Sequence, residues 1–219
     1  MNKISVSIMC ADPYNFSKDL EILEECNVDY LHIDIMDGHF VPNLGLGLDY
    51  INKFRKHTNI PFDYHLMIEN PDKIIPKLDL KEDDLVSIHF ESSYRLEETL
   101  DIAKERNINL FLAMNPGTPV RILRSAPEWL AGINFMTVNP GFAGQQILPT
   151  SYKKMSRLKN YLKELGCPDL TIEVDGNMDL ENIEVFKNLG ANIFVLGTSS
   201  IYKNHQLNKD EIIKIKGMI

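Results

Sequence analysis

Four ionisable residues fall at the ends of short apolar runs, where a buried charge is costly unless it is paired or bound. His32 and Asp34 sit in the run Tyr30–Asp37, two residues apart, and so project from the same side of an extended strand. His65 lies near the end of Pro61–Ile68, and Asp175 directly follows Leu170–Val174. Two imidazoles and two carboxylates make a mixed nitrogen and oxygen set for one divalent ion such as Zn²⁺, Fe²⁺, Mn²⁺ or Co²⁺. The plain alternative is a pair of core His–Asp hydrogen bonds; four such residues, each at a strand terminus, favour the ion. Asp34 and Asp175 also suit paired proton transfer. A planar intermediate between them would lose a proton on one face and regain one on the other, inverting a stereocentre. An ion there would act as a Lewis acid for the C–H bond being broken.

Two glycine-bearing loops follow later strands. The first is Asn139-Pro140-Gly141-Phe142-Ala143-Gly144-Gln145 and the second is Gly197-Thr198-Ser199-Ser200. Small residues let backbone N–H groups close on an oxyanion, and the second loop is expected to open a short helix. Met36, Met67 and Met136 stand near strand ends and form either gap-filling core or an apolar cap over the reacting carbon. Ser7 is placed to hydrogen-bond a substrate. His89 and Glu91, at the end of another strand, are candidates for supporting the site from behind.

The elements that must position these residues alternate. Strand-like runs are Ile4–Cys10, Tyr30–Asp37, Pro61–Ile68, Leu85–Phe90, Ile108–Met114, Ile133–Val138, Leu170–Val174 and Ile193–Leu196. Helical spacing follows each, clearest in Met155, Leu158, Leu162 and Leu165. A helix is expected to open at Asn70-Pro71, another near Val120 to Leu130, and one to end at Gly190. Eight units in 219 residues leave roughly 27 per unit. The expectation is an α/β fold, a single (β/α)8 TIM barrel over residues 1–219 with its chemistry at the C-terminal strand ends; an open doubly wound sheet is the alternative.

Composition narrows the partners. With 23 Lys and Arg against 31 Asp and Glu, the net charge of −8 argues against nucleic acid or an anionic membrane. No window approaches a membrane span. Cys10, Cys26 and Cys167 are few and scattered, and the N-terminal apolar stretch is poor for a signal peptide, so a reducing, cytoplasmic setting is expected.

The blocks Ser7-Ile8-Met9-Cys10-Ala11-Asp12, His32 to Asn43, His65-Leu66-Met67, Met136 to Gln145, Glu173-Val174-Asp175-Gly176 and Gly197-Thr198-Ser199 together resemble the ribulose-phosphate 3-epimerase family over nearly the whole chain. That resemblance implies a ribulose-phosphate-binding barrel that inverts C3 of a ketose phosphate. It implies His32, Asp34, His65 and Asp175 as metal ligands, with Asp34 as proton acceptor and Asp175 as donor. It also implies Ser7 as a substrate contact. The phosphate grip would be Gly141, Phe142, Ala143 and Gly144 with Gly197, Thr198 and Ser199, beside Gly176, and the cap would be Met36, Met67 and Met136. A homo-oligomer is expected on the same ground. The Met9-Cys10 pair, Ala143 and the Gly197-Thr198-Ser199 turn are more similar to the allulose-6-phosphate 3-epimerase branch, and Asn177 departs from the Asp-Gly-Gly of pentulose members. The preferred substrate expected here is D-allulose 6-phosphate, with D-ribulose 5-phosphate as the alternative. A metal-free lyase or isomerase would place a Lys at a strand end, which this chain lacks. A non-catalytic sugar-phosphate sensor would have no use for the pair Asp34 and Asp175.

Overall fold

The computed structural model describes residues 2–92, 95–126 and 128–219. Eight parallel strands close into a barrel in sequence order. They are β1 (Lys3–Ser7), β2 (Tyr30–Met36), β3 (Phe62–Met67), β4 (Leu85–His89), β5 (Asn109–Met114), β6 (Gly132–Met136), β7 (Thr171–Asp175) and β8 (Ile193–Leu196). β8 returns to β1 with Ile4 opposite Phe194. This closure excludes the open sheet and leaves no free edge. Around it lie α1 (Phe16–Glu25), α2 (Leu48–Phe54), α3 (Leu96–Glu105), α4 (Thr150–Glu164), α5 (Leu180–Asn188) and α6 (Lys209–Met218).

Alternation along the strands creates two interiors. Residues such as Ile4, Val6, Leu31, Ile33, Phe62, Tyr64, Ile133 and Phe135 belong to the main apolar core between strands and helices. The intervening residues face the barrel axis: Ser5 Oγ on β1 donates to Asp63 Oδ2 on β3 at 2.7 Å, although these strands are not neighbours. Tyr30, Leu85, Phe111 and Ile193 form an apolar floor. Met36, Val41 and Met67, with Met9 and Phe40 against them, cover part of the opposite end. Between floor and cap the barrel is lined largely by polar side chains.

The helices carry their own punctuation. Asp179 caps α5 by accepting from the Asn182 N–H, and Asn208 caps α6 from Asp210 and Glu211. Gly190, in the left-handed region at φ 94°, ends α5 as expected. Its N–H reaches the Lys187 carbonyl while the Ala191 N–H reaches that of Phe186, a Schellman motif.

Three expectations change. The crossover opening at Asn70-Pro71 is not an α-helix but two 3₁₀ turns, Pro71–Lys73 and Ile75–Lys77, and Asn70 makes no side-chain cap. Pro76 removes an N–H and crowds the preceding turn, so an α-helix cannot run through it. The helix expected near Val120 to Leu130 is a 3₁₀ segment, Val120–Ser125, entered from Pro119, with extended Ala126 before Pro127; Pro127 lies outside the described residues. Leu165, counted on the buried face of α4, caps the helix and is 38% exposed, while Met155, Leu158 and Leu162 are buried. A short hairpin, β9 (Tyr202–Lys203) with β10 (Gln206–Leu207), also follows β8. Its turn residues Asn204 and His205 both take positive φ.

Gly132 holds the floor together by having no side chain: a Cβ there would lie 2.3 Å from Cε1 of Phe111. Gly132→Ala is expected to destabilise the fold by about 1–3 kcal/mol through overpacking. The denaturant midpoint reads this, and an unchanged midpoint would contradict the packing described.

Candidate metal and acid–base site

β2, β3 and β7 bring four side chains to one point near the C-terminal mouth. His32 Nε2 lies 3.4 Å from Asp34 Oδ1 and 3.6 Å from Asp175 Oδ2. His65 Nδ1 lies 3.5 Å from Asp34 Oδ1 and 3.2 Å from Asp175 Oδ2. One ligand atom from each residue falls within 4.8 Å of every other. Both nitrogens are fully buried and neither makes a hydrogen bond. Two orphaned imidazole nitrogens aimed at two carboxylate oxygens are what a divalent ion with nitrogen and oxygen ligands requires, so the residues fit the ion expected.

Each ring is held by its other nitrogen. His32 Nδ1 lies 2.6 Å from Asp63 Oδ2, the same oxygen that accepts from Ser5. His65 Nε2 meets His89 Nε2 at 2.8 Å. Ser7 Oγ donates to Asp34 Oδ2 at 3.0 Å, so it orients a carboxylate as well as facing the cleft. Asp63 and the fully buried Glu173 were not among the expected site residues. The signal that found His65 and Asp175 would have found them too, since each sits two residues earlier on the same strand face.

The electrostatics follow from this crowding. Burial works against the Asp34 carboxylate, but His32 and His65 pull its pKa down to about 2. Burial opposes Asp175 as well, and the same imidazoles hold it well below the usual carboxylate range. Burial disfavours charge on His32, yet Asp63, Asp34 and Asp175 raise it well above its ordinary 6.5. His65 is likewise raised by Asp175 and Asp34 against its burial. His89, with Glu91 as its acidic neighbour, is lowered by burial to about 4 and stays neutral. Glu173 is pushed far up by burial and by the adjacent Asp63.

Above these residues opens a cleft of about 70 Å³, partly open to solvent. Ser7, Asp34, Met67, Met136 and Asp175 line it, together with the loops 139–145, 175–177 and 197–199. His32 and His65 lie beneath its wall. Met36 does not line it; this side chain packs with Val41 and Met67 and faces a neighbouring hollow. Gly141 and Gly176 both sit at φ 115°, and a Cβ on Gly176 would meet Thr137 Oγ1 at 2.6 Å, so only glycine lets these loops lie this close. Gln145 Nε2 donates to the carbonyls of Asn139 and Phe142, and Asn43 Nδ2 donates to that of Gly141 at 2.7 Å. The Gly197 segment is a tight turn rather than a helix start, its carbonyl accepting from Ser200, Ile201 and Tyr202. Among the described residues, no Lys or Arg lines the cleft.

A family profile described as the ribulose-phosphate 3 epimerase family matches residues 3–202. A protein from Bacillus subtilis (strain 168) named ribulose-phosphate 3-epimerase is 36% identical over 217 residues, covering 99% of both chains. The chain belongs to the ribulose-phosphate 3-epimerase family. It is therefore an isomerase, and its His/Asp group suits the divalent metal on which this family depends. A ribulose-phosphate 3-epimerase from Aquifex aeolicus (strain VF5) is 34% identical, covering 90% of this chain and 89% of that one. Phosphoribosyl anthranilate isomerase from Thermotoga maritima superposes with a TM-score of 0.67 over the full length of both chains at 12% identity, a likeness of fold alone. Among the described residues, no helix is long and apolar enough to cross a membrane.

Without an ion, the raised imidazoles hold protons that an incoming ion must displace. Divalent-ion affinity is therefore expected to climb with pH above 6.5, until the raised values are passed, with about two protons released per ion. Calorimetry in buffers of different ionisation heat measures the release. No proton release would mean that the imidazoles do not meet the ion.

Proposed function

We propose that this epimerase interconverts D-ribulose 5-phosphate and D-xylulose 5-phosphate, one of Asp34 and Asp175 taking the C3 proton while the other delivers its own proton to the opposite face. The observation that carries the reading is the convergence of those two carboxylates, from strands three steps apart around the barrel, on one point under the cleft. His32, Asp34, His65 and Asp175 would hold the ion, which supplies Lewis-acid stabilisation of negative charge on the substrate oxygens. Asp34, oriented by Ser7, takes the proton from one face of C3. Asp175 returns a proton to the opposite face, and the reverse reaction exchanges the roles. Inversion needs one carboxylate ionised and the other protonated at each turnover, so the working pair carries a single proton. Met67 and Met136 keep water from the planar intermediate. The loops 141–144 and 197–199 take the phosphate through backbone N–H groups, with no cationic side chain in the wall.

The pentulose reading now stands ahead of the hexulose reading. The relatives' names support it. Two of the departures have backbone reasons independent of substrate length. Asn177 occupies a left-handed position at φ 49°, where Asn is the usual substitute for Gly, and its side chain donates to the Gln145 carbonyl. Ala143 lies between the two positive-φ glycines without itself needing positive φ. Comparing kcat/KM on the two ketose phosphates tests the choice. The pentulose is expected to be preferred, and a preference for D-allulose 6-phosphate would restore the hexulose reading.

Asp175→Asn is expected to cut epimerisation by about 100-fold or more. Asp34 should still exchange the C3 proton of one epimer with deuterated solvent, seen by NMR as washout without inversion. Near-normal epimerisation in this variant would end the two-base assignment.

A further inference from the structure

The His65–His89 contact has a direction, and an acidic residue outside the cleft decides it. The ring centroids are 5.0 Å apart, the planes lie within 21°, and the two Nε2 atoms are 2.8 Å apart. The rings thus meet nitrogen to nitrogen rather than face to face. With an ion on His65 Nδ1 both imidazoles are neutral, so one of the two Nε2 atoms must donate and the other accept. His89 Nδ1 lies 3.4 Å from Glu91 Oε2. Were His89 to donate to His65, its bare Nδ1 lone pair would face a carboxylate. With the proton on Nδ1, His89 points N–H at Glu91, and its Nε2 is left to accept from His65. The hydrogen bond then runs from His65 Nε2–H to His89 Nε2, with the His89 Nδ1–H directed at Glu91 Oε2, 3.4 Å away and outside hydrogen-bond geometry, as an electrostatic contact.

Glu91 is itself held in place. Its Oε1 accepts from the Asn115 N–H at 3.0 Å and from the Thr118 hydroxyl, which leaves Oε2 for His89. Lys154 on α4 fixes the Asn115 carbonyl at 2.6 Å. Ser92 Oγ ties the turn back to the His89 carbonyl at 2.8 Å. Phe40 covers the His89 ring at 4.8 Å, and both histidines are fully buried, so the hydrogen bonds act in a low-dielectric setting.

We propose that His89 and Glu91 are positioning residues that lock His65 as its Nε2–H tautomer, so that its Nδ1 lone pair is presented to the divalent ion. This rests on the reading of His65 as a ligand.

The isosteric variant Glu91→Gln separates this role from simple packing. Asn115 and Thr118 both donate to Oε1, so the amide oxygen is kept there and its NH₂ is turned onto His89 Nδ1. The His65–His89 hydrogen bond then reverses, and His65 Nδ1 acquires the proton. Zinc affinity, measured by competition with a chromophoric chelator, is expected to fall about 10- to 100-fold in Glu91→Gln. Glu91→Ala places no donor on His89 and is expected to weaken zinc no more than Glu91→Gln does. A merely structural role predicts the opposite order, with alanine the worse. Nitrogen-15 NMR of the zinc-loaded wild type should place the His65 proton on Nε2. Wild-type zinc affinity in Glu91→Gln, or alanine weakening zinc more than glutamine, overturns the relay. Failure of the wild type to bind zinc at all overturns instead the ligand reading beneath it.

Discussion

The constraint on which everything else depends is the burial of acids and imidazoles inside a closed barrel. Asp34, Asp63, Asp175, Glu173, His32, His65 and His89 all face one interior. Each carries a desolvation penalty, which only Asp34 and Asp175, at the cleft, share in part with solvent. The arrangement meets it in two ways. Asp34, Asp63 and Asp175 each lie against an imidazole. Glu173, whose environment pushes its pKa far upward, is kept neutral instead. Such a cluster adds little net stability, and removing one partner from a buried pair costs several kcal/mol because the other charge is stranded. The fold is therefore held from outside the barrel, by the apolar layer between strands and helices, and the interior is left to chemistry.

The two imidazoles at the centre are oriented by different means. His32 is fixed directly by Asp63, which also receives Ser5. His65 is fixed by a neutral imidazole, and the anion that polarises it, Glu91, stands one ring further away. The difference matters for charge. A carboxylate directly behind each ring would put four acids around a single doubly charged ion. Placing Glu91 at one remove keeps the direction of the hydrogen bonds and moves the excess charge toward solvent, where Glu91 is partly exposed.

Much of this was legible in the chain. A His and an Asp two apart, followed by a His and an Asp at other strand ends, is a period-two pattern that a barrel turns into one cluster. Eight alternating units implied closure, which the pairing of β8 with β1 bears out. Asp63 and Glu173 carry the same period-two signal, each two residues before His65 or Asp175, but they lie in mid-strand rather than at the strand ends where chemistry is expected. The two crossovers that lack α-helices escaped because over one or two turns a three-residue and a 3.6-residue period place apolar residues alike; Pro76 and Pro127 were the residues that distinguished them. The polarity of the His65–His89 contact could not be read at all, since it depends on a distance between side chains.

The cleft also explains how a chain of net charge −8 can accept an anion. A Lys or Arg beside the phosphate would pull the pKa values of Asp34 and Asp175 further down and make both poorer proton carriers. Backbone N–H groups offer the phosphate partial positive charge without placing a full cation near the acids. The residues that shape these loops follow the same rule. Asn43 and Asn177 are neutral amides that donate to carbonyls of the 139–145 loop from other segments, and Gln145 braces that loop from within. Glycine supplies the close approach, amides supply the bracing, and the charges are confined to the floor of the cleft.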